Sequence, residues 1–380
     1  MQSYQGFEQG PIRPPSEASS LLLRVTRNCP WNRCTFCSVY KKQKFSLRPV
    51  ADVSADIDAV HRFTSELQGG FDPRIELADH QLSPSEWSVF AAARNWLAEG
   101  MRSIFLQDAD SLVIRPENLI AILSHIKMRF PQVERITSYA RSESVARISD
   151  SQLAEIAASG LNRIHIGMET ASDTILQMIN KGASKETHIT AGLKVKTAGI
   201  ELSEYVLTGI GGREFSRDHA IETADALNRI NPDFIRFRTL HLMDSVNLFA
   251  GSELHRYQWA SDVDQAEEIL LLLKGLYGIT SRVRSDHSYN LLQEIDGDFP
   301  GDKVQLMATL QHFIDLPPQE RTIFQVGKRT GHFVRMSDMD KPGRRKQVEE
   351  ICSQSGITSE NVDEQLHEMI QQRMKSGMPY

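Results

Sequence analysis

The sequence lacks the features that mark several common protein classes. It has only four cysteines in 380 residues, too few for a disulfide-rich secreted fold, and residues 1–20 show no secretory signal. No apolar run is long enough for a membrane span. Its 43 basic and 49 acidic residues give a formal net charge of −6, without the basic patch typical of nucleic-acid binding. These absences predict a cytoplasmic protein with reduced thiols that binds neither membranes nor nucleic acid.

Short β-rich runs alternate with amphipathic helical stretches from about residue 20 onward. The runs are apolar and β-branched, as in parallel strands that are covered on both faces. They comprise residues 21–26, 103–107, 135–139, 163–167, 201–208 and 234–240. Repeated strand–helix units predict an α/β fold, a partial (β/α)6 TIM-like barrel, although the pattern also permits an open doubly wound sheet. We expect a loosely ordered arm (1–19), a core barrel (20–245) and a mainly helical C-terminal region that covers the substrate (246–380).

Several helix ends are marked by single residues. Ser83 and Ser149 each open a capping-box sequence, in which a serine at the start of a helix is followed three residues later by Glu or Gln. Ser216 is predicted to start a further helix. Gly100 and Gly160 stand where helices should stop before the next strand.

Three of the four cysteines, Cys29, Cys34 and Cys37, fall within nine residues directly after the first predicted strand. Buried structural cysteines would be spread along a core face, and a zinc site normally needs a fourth ligand. A redox pair of Cys34 and Cys37 would leave Cys29 without a role. A [4Fe–4S] cluster held by three cysteines uses all of them and leaves one iron open, so the spacing favours a cluster.

This loop resembles that of the radical S-adenosylmethionine (radical SAM) superfamily. In that family three closely spaced cysteines bind a [4Fe–4S] cluster, and S-adenosylmethionine chelates the fourth iron. The commonest family spacing is C-x3-C-x2-C, whereas this sequence has C-x4-C-x2-C with Phe36 before the third cysteine. Within the superfamily, the sequence is most similar to the group of oxygen-independent coproporphyrinogen oxidase and related iron–sulfur oxidoreductases.

The resemblance implies that five residues bind S-adenosylmethionine. Phe36 should pack beside the adenine, and Gly209 should let the main chain approach it. Asp108 should contact the methionine amino group, Glu169 the ribose or the amino group, and Lys181 the carboxylate.

The resemblance also implies the reaction. The cluster would cleave S-adenosylmethionine reductively to a 5′-deoxyadenosyl radical, which abstracts hydrogen from a small-molecule or cofactor-precursor substrate. A flavodoxin- or ferredoxin-type protein would supply the electron. No catalytic residue is predicted beyond two candidates in a polar stretch, Asp286 and His287, of which the histidine has a reference pKa near neutrality. The alternative is a non-catalytic iron–sulfur or zinc protein for electron transfer or scaffolding, with Cys352 as its only further thiol.

Overall fold

The computed structural model describes residues 4, 6–70, 82–242, 248 and 257–375. The predicted boundary at residue 245 and parts of the predicted arm lie outside them. The strands are β1 (Leu21–Arg24), β2 (Thr26–Arg27), β3 (Ser46–Leu47), β4 (Ser103–Gln107), β5 (Arg135–Ala140), β6 (Leu161–Glu169), β7 (Glu201–Thr208), β8 (Phe234–Thr239), β9 (Arg282–Arg284) and β10 (Asp296–Asp298).

Helices follow most of the long strands. They are α1 (Val50–Gln68), α2 (Pro84–Ala98), α3 (Pro116–Arg129), α4 (Ser142–Arg147), α5 (Asp150–Ala158), α6 (Asp173–Met178), α7 (Lys185–Thr197), α8 (Gly212–Ile230), α9 (Asp262–Gly275), α10 (Lys303–Asp315), α11 (Pro318–Arg329), α12 (Pro342–Ser355) and α13 (Val362–Lys375). Short 3-10 helices cover Pro15–Glu17 and Met336–Asp340. All helices in the described part of the chain are too short or too polar to span a lipid bilayer.

The main sheet contains eight strands in the order β1-β4-β5-β6-β7-β8-β9-β10. Strand β4 pairs in parallel with β1 and β5, and β8 pairs in parallel with β7 and β9, whereas β10 is antiparallel to β9. The long parallel strands are joined by helices because a parallel pair needs a crossover connection. The α/β class and the TIM-like partial barrel are therefore confirmed, and β9 and β10 extend the sheet beyond the six predicted strands.

The helix ends follow their local sequence closely. Both predicted capping boxes are present at Ser83 and Ser149, and Ser261 forms a third one before α9 that was not predicted. Gly100 and Gly160 follow helices with φ of +84° and +119°, values that favour glycine. The predicted start at Ser216 is wrong, because α8 already begins at Gly212, directly after the glycine-rich turn that ends β7.

The chain divides into two compact units. Unit 1 comprises residues 1–32, 37–167 and 190–202, and unit 2 comprises 33–36, 168–189 and 203–380. In unit 1, strands β1, β4 and β5 present fully buried residues such as Leu23, Ile104 and Leu106 on one face. In unit 2, helices α8 and α9 pack together, with Leu227 and Leu273 fully buried.

The N-terminal arm is ordered in its described part, so the expectation of a loose arm is wrong there. The main chain of Gly10 exchanges hydrogen bonds of 2.8 and 3.2 Å with the buried side-chain amide of Gln107. Glu17 is fully buried and accepts a hydrogen bond from Arg135 at 3.3 Å, and it lies 3.5 Å from His165. A buried carboxylate is stable only with such partners, so these contacts fix the arm to unit 1.

Candidate functional site

The cysteine loop is closed at its base by two short strands. Strands β2 and β3 pair antiparallel on either side of residues 28–45. Inside the loop, Asn28 and Asn32 have φ of +69° and +47°, a conformation that asparagine tolerates better than most residues. Their side-chain amides donate hydrogen bonds to the carbonyl oxygens of Lys44 (2.7 Å) and Tyr40 (2.6 Å). The two asparagines thus hold the turns that present the thiols.

The donor set of the loop suits an iron–sulfur cluster. All four cysteines lie in the described residues and none forms a disulfide; Cys34 is buried, while Cys29 and Cys37 are half-buried. The main-chain N–H of Asn32 donates to the Cys29 sulfur at 3.3 Å, as it would to a thiolate. Three thiols in one loop are the ligands that iron–sulfur clusters use.

No three cysteine, histidine or carboxylate side chains are grouped closely enough to hold a metal ion in the part of the chain that the structure describes. The ligand role of the cysteines therefore rests on their chemistry and spacing, not on a preformed metal geometry.

Phe36 lies beside the segment that follows β6. The neighbouring Thr35 donates its main-chain N–H to the carbonyl of Ile179 at 2.9 Å. The Phe36 ring packs against an apolar cluster of unit 2 and lies 5.8 Å from the Lys181 ammonium nitrogen. The cluster consists of the buried residues Ile175, Ile179, Leu207, Ile210, Leu240 and Leu248.

Glu169 and Lys181 form an ion pair beside this aromatic ring. Lys181 Nζ lies 3.0 Å from Glu169 Oε1, and the two side chains are 10% and 16% exposed. Glu169 ends β6 with φ of +64°, a conformation that a non-glycine residue adopts at a cost. The structure therefore brings together three predicted cofactor-binding residues that are far apart in sequence.

Glu204 is a further acid near this pair that the sequence analysis did not single out. It lies within β7 and is fully buried, and neither carboxyl oxygen has a hydrogen-bond partner among the described residues. Burial raises its pKa well above the usual range; Lys181 lowers the pKa and Glu169 raises it. Strand β7 also contains Glu201 and Ser203, so no local signal in the sequence distinguished Glu204.

Asp108 occupies a different environment. It follows β4 with φ of +72° and is fully buried. Arg24, the last residue of β1, donates from Nε to Asp108 Oδ2 at 2.5 Å. The pKa of the nearby Tyr40 hydroxyl is raised by burial and then by the Asp108 carboxylate, with smaller contributions from Cys37 and Cys29. Asp108 thus lies near the cysteine loop but is already bound by an arginine of its own unit.

The main-chain groups of Gly209 are both bound by protein side chains. Its N–H donates to Glu268 at 2.8 Å, and its carbonyl accepts from the Tyr257 hydroxyl at 3.0 Å. Its φ of +77° favours glycine, and a Cβ here would lie 3.3 Å from the Gln265 side chain. The protein therefore fills the space beside the Gly209 Cα, and the Gly209 N–H is already bound.

Asp286 and His287 lie after β9 in unit 2. Asp286 accepts hydrogen bonds from Arg236 and Arg238. Burial raises the Asp286 pKa, but the two guanidinium groups outweigh it, so the net shift is downward. Burial lowers the pKa of His287 to about 4, so the imidazole is neutral at pH 7. Neither group is poised as a proton donor near neutral pH.

The sequence was compared with protein families and with solved structures. The family model of the Radical SAM superfamily matches residues 23–227, more than half of the chain and including the cysteine loop. No curated protein matches the sequence.

Solved structures with similar folds share little sequence with this chain. HydG, a maturase of [FeFe]-hydrogenase, is 11% identical with a TM-score of 0.42, over 94% of this chain and 82% of that one. Methylornithine synthase is 12% identical with a TM-score of 0.41, over 77% and 70%. Coproporphyrinogen III oxidase from Escherichia coli is 13% identical with a TM-score of 0.40, over 63% of this chain and 49% of the oxidase. At TM-scores below 0.5 these similarities decide nothing about the reaction.

Proposed function

Because the chain belongs to the radical SAM superfamily, whose members are enzymes that use a [4Fe–4S] cluster and S-adenosylmethionine, we propose that it acts on a small-molecule or cofactor-precursor substrate by hydrogen abstraction. When bound, the cluster and S-adenosylmethionine supply the 5′-deoxyadenosyl radical, with an electron from a flavodoxin- or ferredoxin-type donor. Cys29, Cys34 and Cys37 would hold the cluster.

The observation that carries this proposal is the contact between Phe36, Lys181 and Glu169. Phe36 directly precedes the third cysteine, and its ring lies 5.8 Å from the ammonium group that pairs with Glu169 at 3.0 Å. Lys181 offers a cation to a carboxylate and Glu169 offers an anion to an amino or hydroxyl group. The methionine part of S-adenosylmethionine carries both charges, so this pair can bind and orient it.

The remaining predicted residues would shape the site. Asp108 would contribute mainly through Arg24 and the loop, and Gly209 would allow close approach to the adenine. Residues 246–380 would form the substrate-covering region, in which Asp286 and His287 would contact substrate rather than transfer protons. Exclusion of water by this region would protect a reactive radical.

Anaerobic reconstitution tests the proposal. Protein given iron, sulfide, S-adenosylmethionine and dithionite should bind about four irons per chain, with the charge-transfer absorption of thiolate-bound clusters, and should release 5′-deoxyadenosine. Iron binding without 5′-deoxyadenosine, together with loss of the cluster in Cys352→Ala, would contradict it and support a non-catalytic iron–sulfur protein.

A further inference from the structure

Four arginines lie on one face of the sheet in unit 2: Arg236 and Arg238 of β8, and Arg282 and Arg284 of β9. Side chains alternate between the faces of a strand, so Arg236 and Arg238 of β8 point the same way, and Arg284 of β9 pairs in register with Arg236. The opposite face of these strands packs against helix α9, where Thr208 donates to Gln265 at 2.8 Å. The arginine face is therefore the one turned away from the covering helix. Arg238 is the penultimate residue of β8 and so lies at the strand end where parallel α/β barrels bind ligands.

The charges on this face do not balance around Arg236 and Arg238. Both guanidinium groups share one carboxylate, that of Asp286, with 2.7 Å from Arg238 Nη1 to Asp286 Oδ1. Arg284 lies 3.6 Å from a different carboxylate, that of Asp296. Two cations against one anion leave a surplus positive charge.

One donor of this arginine pair has no partner in the described part of the chain. Nη2 of Arg238 is buried and has no hydrogen-bond acceptor among the described residues. The Arg236 side chain is only 3% exposed, which makes it costly to leave its charge poorly compensated.

The two guanidinium groups are also held in place before any ligand binds. Arg236 Nε donates to Ser203 Oγ at 3.1 Å, and its Cζ lies 5.1 Å from the Phe234 ring centroid. The Cζ atom of Arg238 lies 4.5 Å from the centroid of the Tyr205 ring. Fixed donors lose little conformational entropy when they bind an anion.

We propose that Arg236 and Arg238 bind an anionic group, a carboxylate or a phosphate, of the substrate. The inference rests on the proposed function for the identity of the ligand as substrate, but the anion site itself does not require it. Asp286 is the resident counter-ion, and it competes with the incoming anion for the same donors.

The test measures thermal unfolding of the reconstituted holoenzyme in potassium phosphate or potassium acetate, against potassium chloride at equal ionic strength. Constant ionic strength removes general screening of surface charges. At about 50 mM anion we expect the wild-type Tm to rise by about 2 °C with at least one of the two anions, as for a ligand with a dissociation constant near 10 mM. Whichever of phosphate and acetate gives the larger rise identifies the group.

Three variants make the test specific. Arg238→Gln should lose the shift. Asp286→Asn should increase it, because the competing carboxylate is gone, with an apparent affinity about tenfold higher. Arg282→Gln is the matched control and should behave as wild type, since Arg282 is more exposed and pairs with Asp296 at 2.9 Å.

Equal shifts in wild type and Arg238→Gln, or a smaller shift in Asp286→Asn, would overturn the anion site. Formation of 5′-deoxyadenosine, measured on the same wild-type preparation, tests the proposed function separately. A preparation that cleaves S-adenosylmethionine but shows no specific anion shift would refute this inference alone.

Discussion

Two acidic residues at strand ends, one in each unit, differ in their surroundings. Asp108 follows β4 in unit 1 and Glu169 ends β6 in unit 2, with φ of +72° and +64°. The Asp108 side chain is fully buried against Arg24, whereas the Glu169 side chain remains 16% exposed beside Lys181. The comparison teaches that an acid at a strand end is a ligand candidate only when its partner leaves it reachable.

The arm explains part of this difference. A Cβ on Gly10 would lie 3.0 Å from Asp108 Oδ1, so the arm runs directly over the Asp108 carboxylate. The charge of Glu8, which pairs with Arg27 at 2.5 Å, adds to the same network. We therefore expect Asp108 to contribute chiefly to the stability of unit 1 and Glu169, as proposed above, to contribute chiefly to ligand binding.

The largest expected effect is loss of the [4Fe–4S] cluster, without which Glu169 could not act in S-adenosylmethionine binding at this site. Cys29→Ala, Cys34→Ala and Cys37→Ala should each abolish the cluster, because each removes one of its three proposed thiolate ligands. Iron content and visible absorption after anaerobic reconstitution measure this. Cys352→Ala is the control and should retain the cluster; a cluster that survives any of the three loop variants would remove the basis of the comparison.

The second prediction compares the contributions of Asp108 and Glu169 to the free energy of unfolding. Asp108→Asn leaves the Arg24 charge without its buried partner and should lower the free energy of unfolding by about 3 kcal/mol. Glu169→Gln should lower it by less, about 1 kcal/mol, because the Glu169 carboxylate keeps 16% exposure to water. Urea unfolding measures the free energy of unfolding of both variants, and equal losses would contradict the difference between the two acids.

For S-adenosylmethionine binding we expect the opposite order, with Glu169 more important than Asp108. Glu169→Gln and Lys181→Met should each weaken S-adenosylmethionine binding by about 1–3 kcal/mol, the range for hydrogen bonds to charged groups, while iron content is retained. Titration calorimetry on the reconstituted protein measures the affinity. Glu222→Gln, which affects a similar pair with Lys185 at 2.7 Å, serves as the matched control. Normal affinity in both site variants would refute the assignment of this pair.

The smallest expected effect is on the pH dependence of stability. It concerns one buried acid in each unit, Asp110 and Glu268. Burial raises both pKa values to about 7. Because the folded-state pKa lies above the unfolded value, each acid contributes stability at low pH that is lost as pH rises through about 7. Glu268→Gln and Asp110→Asn should each reduce the fall in unfolding free energy between pH 6 and 8 by about 1 kcal/mol. Urea unfolding at the two pH values measures it, and an unchanged fall in both variants would contradict these pKa shifts.

Local sequence patterns predicted much of the fold. The strands at 103–107 and 201–208 have the predicted bounds. These elements depend on the periodicity of neighbouring residues, which the sequence displays directly. Strands β2 and β10 were not predicted, because two or three residues carry no periodicity.

The site was less predictable because its contacts join distant residues. The proximity of Phe36 to Lys181 and the pairing of Arg24 with Asp108 depend on how strands and loops are brought together, which no local pattern encodes. The same holds for Arg236 with Asp286, 50 residues apart. The spacing of the cysteines predicted that the three thiols act together, but only the structure identified the partner of each acid.

The fixed arm has a consequence for the order in which the protein is made and assembled. Glu17 leaves the ribosome early, yet its partner Arg135 lies 118 residues later. At a synthesis rate of about 5–20 residues per second, the arm waits on the order of ten seconds before its binding surface exists. The contact of Glu17 with unit 1 can thus form only after Arg135 has been synthesised, and until then its carboxylate stays hydrated.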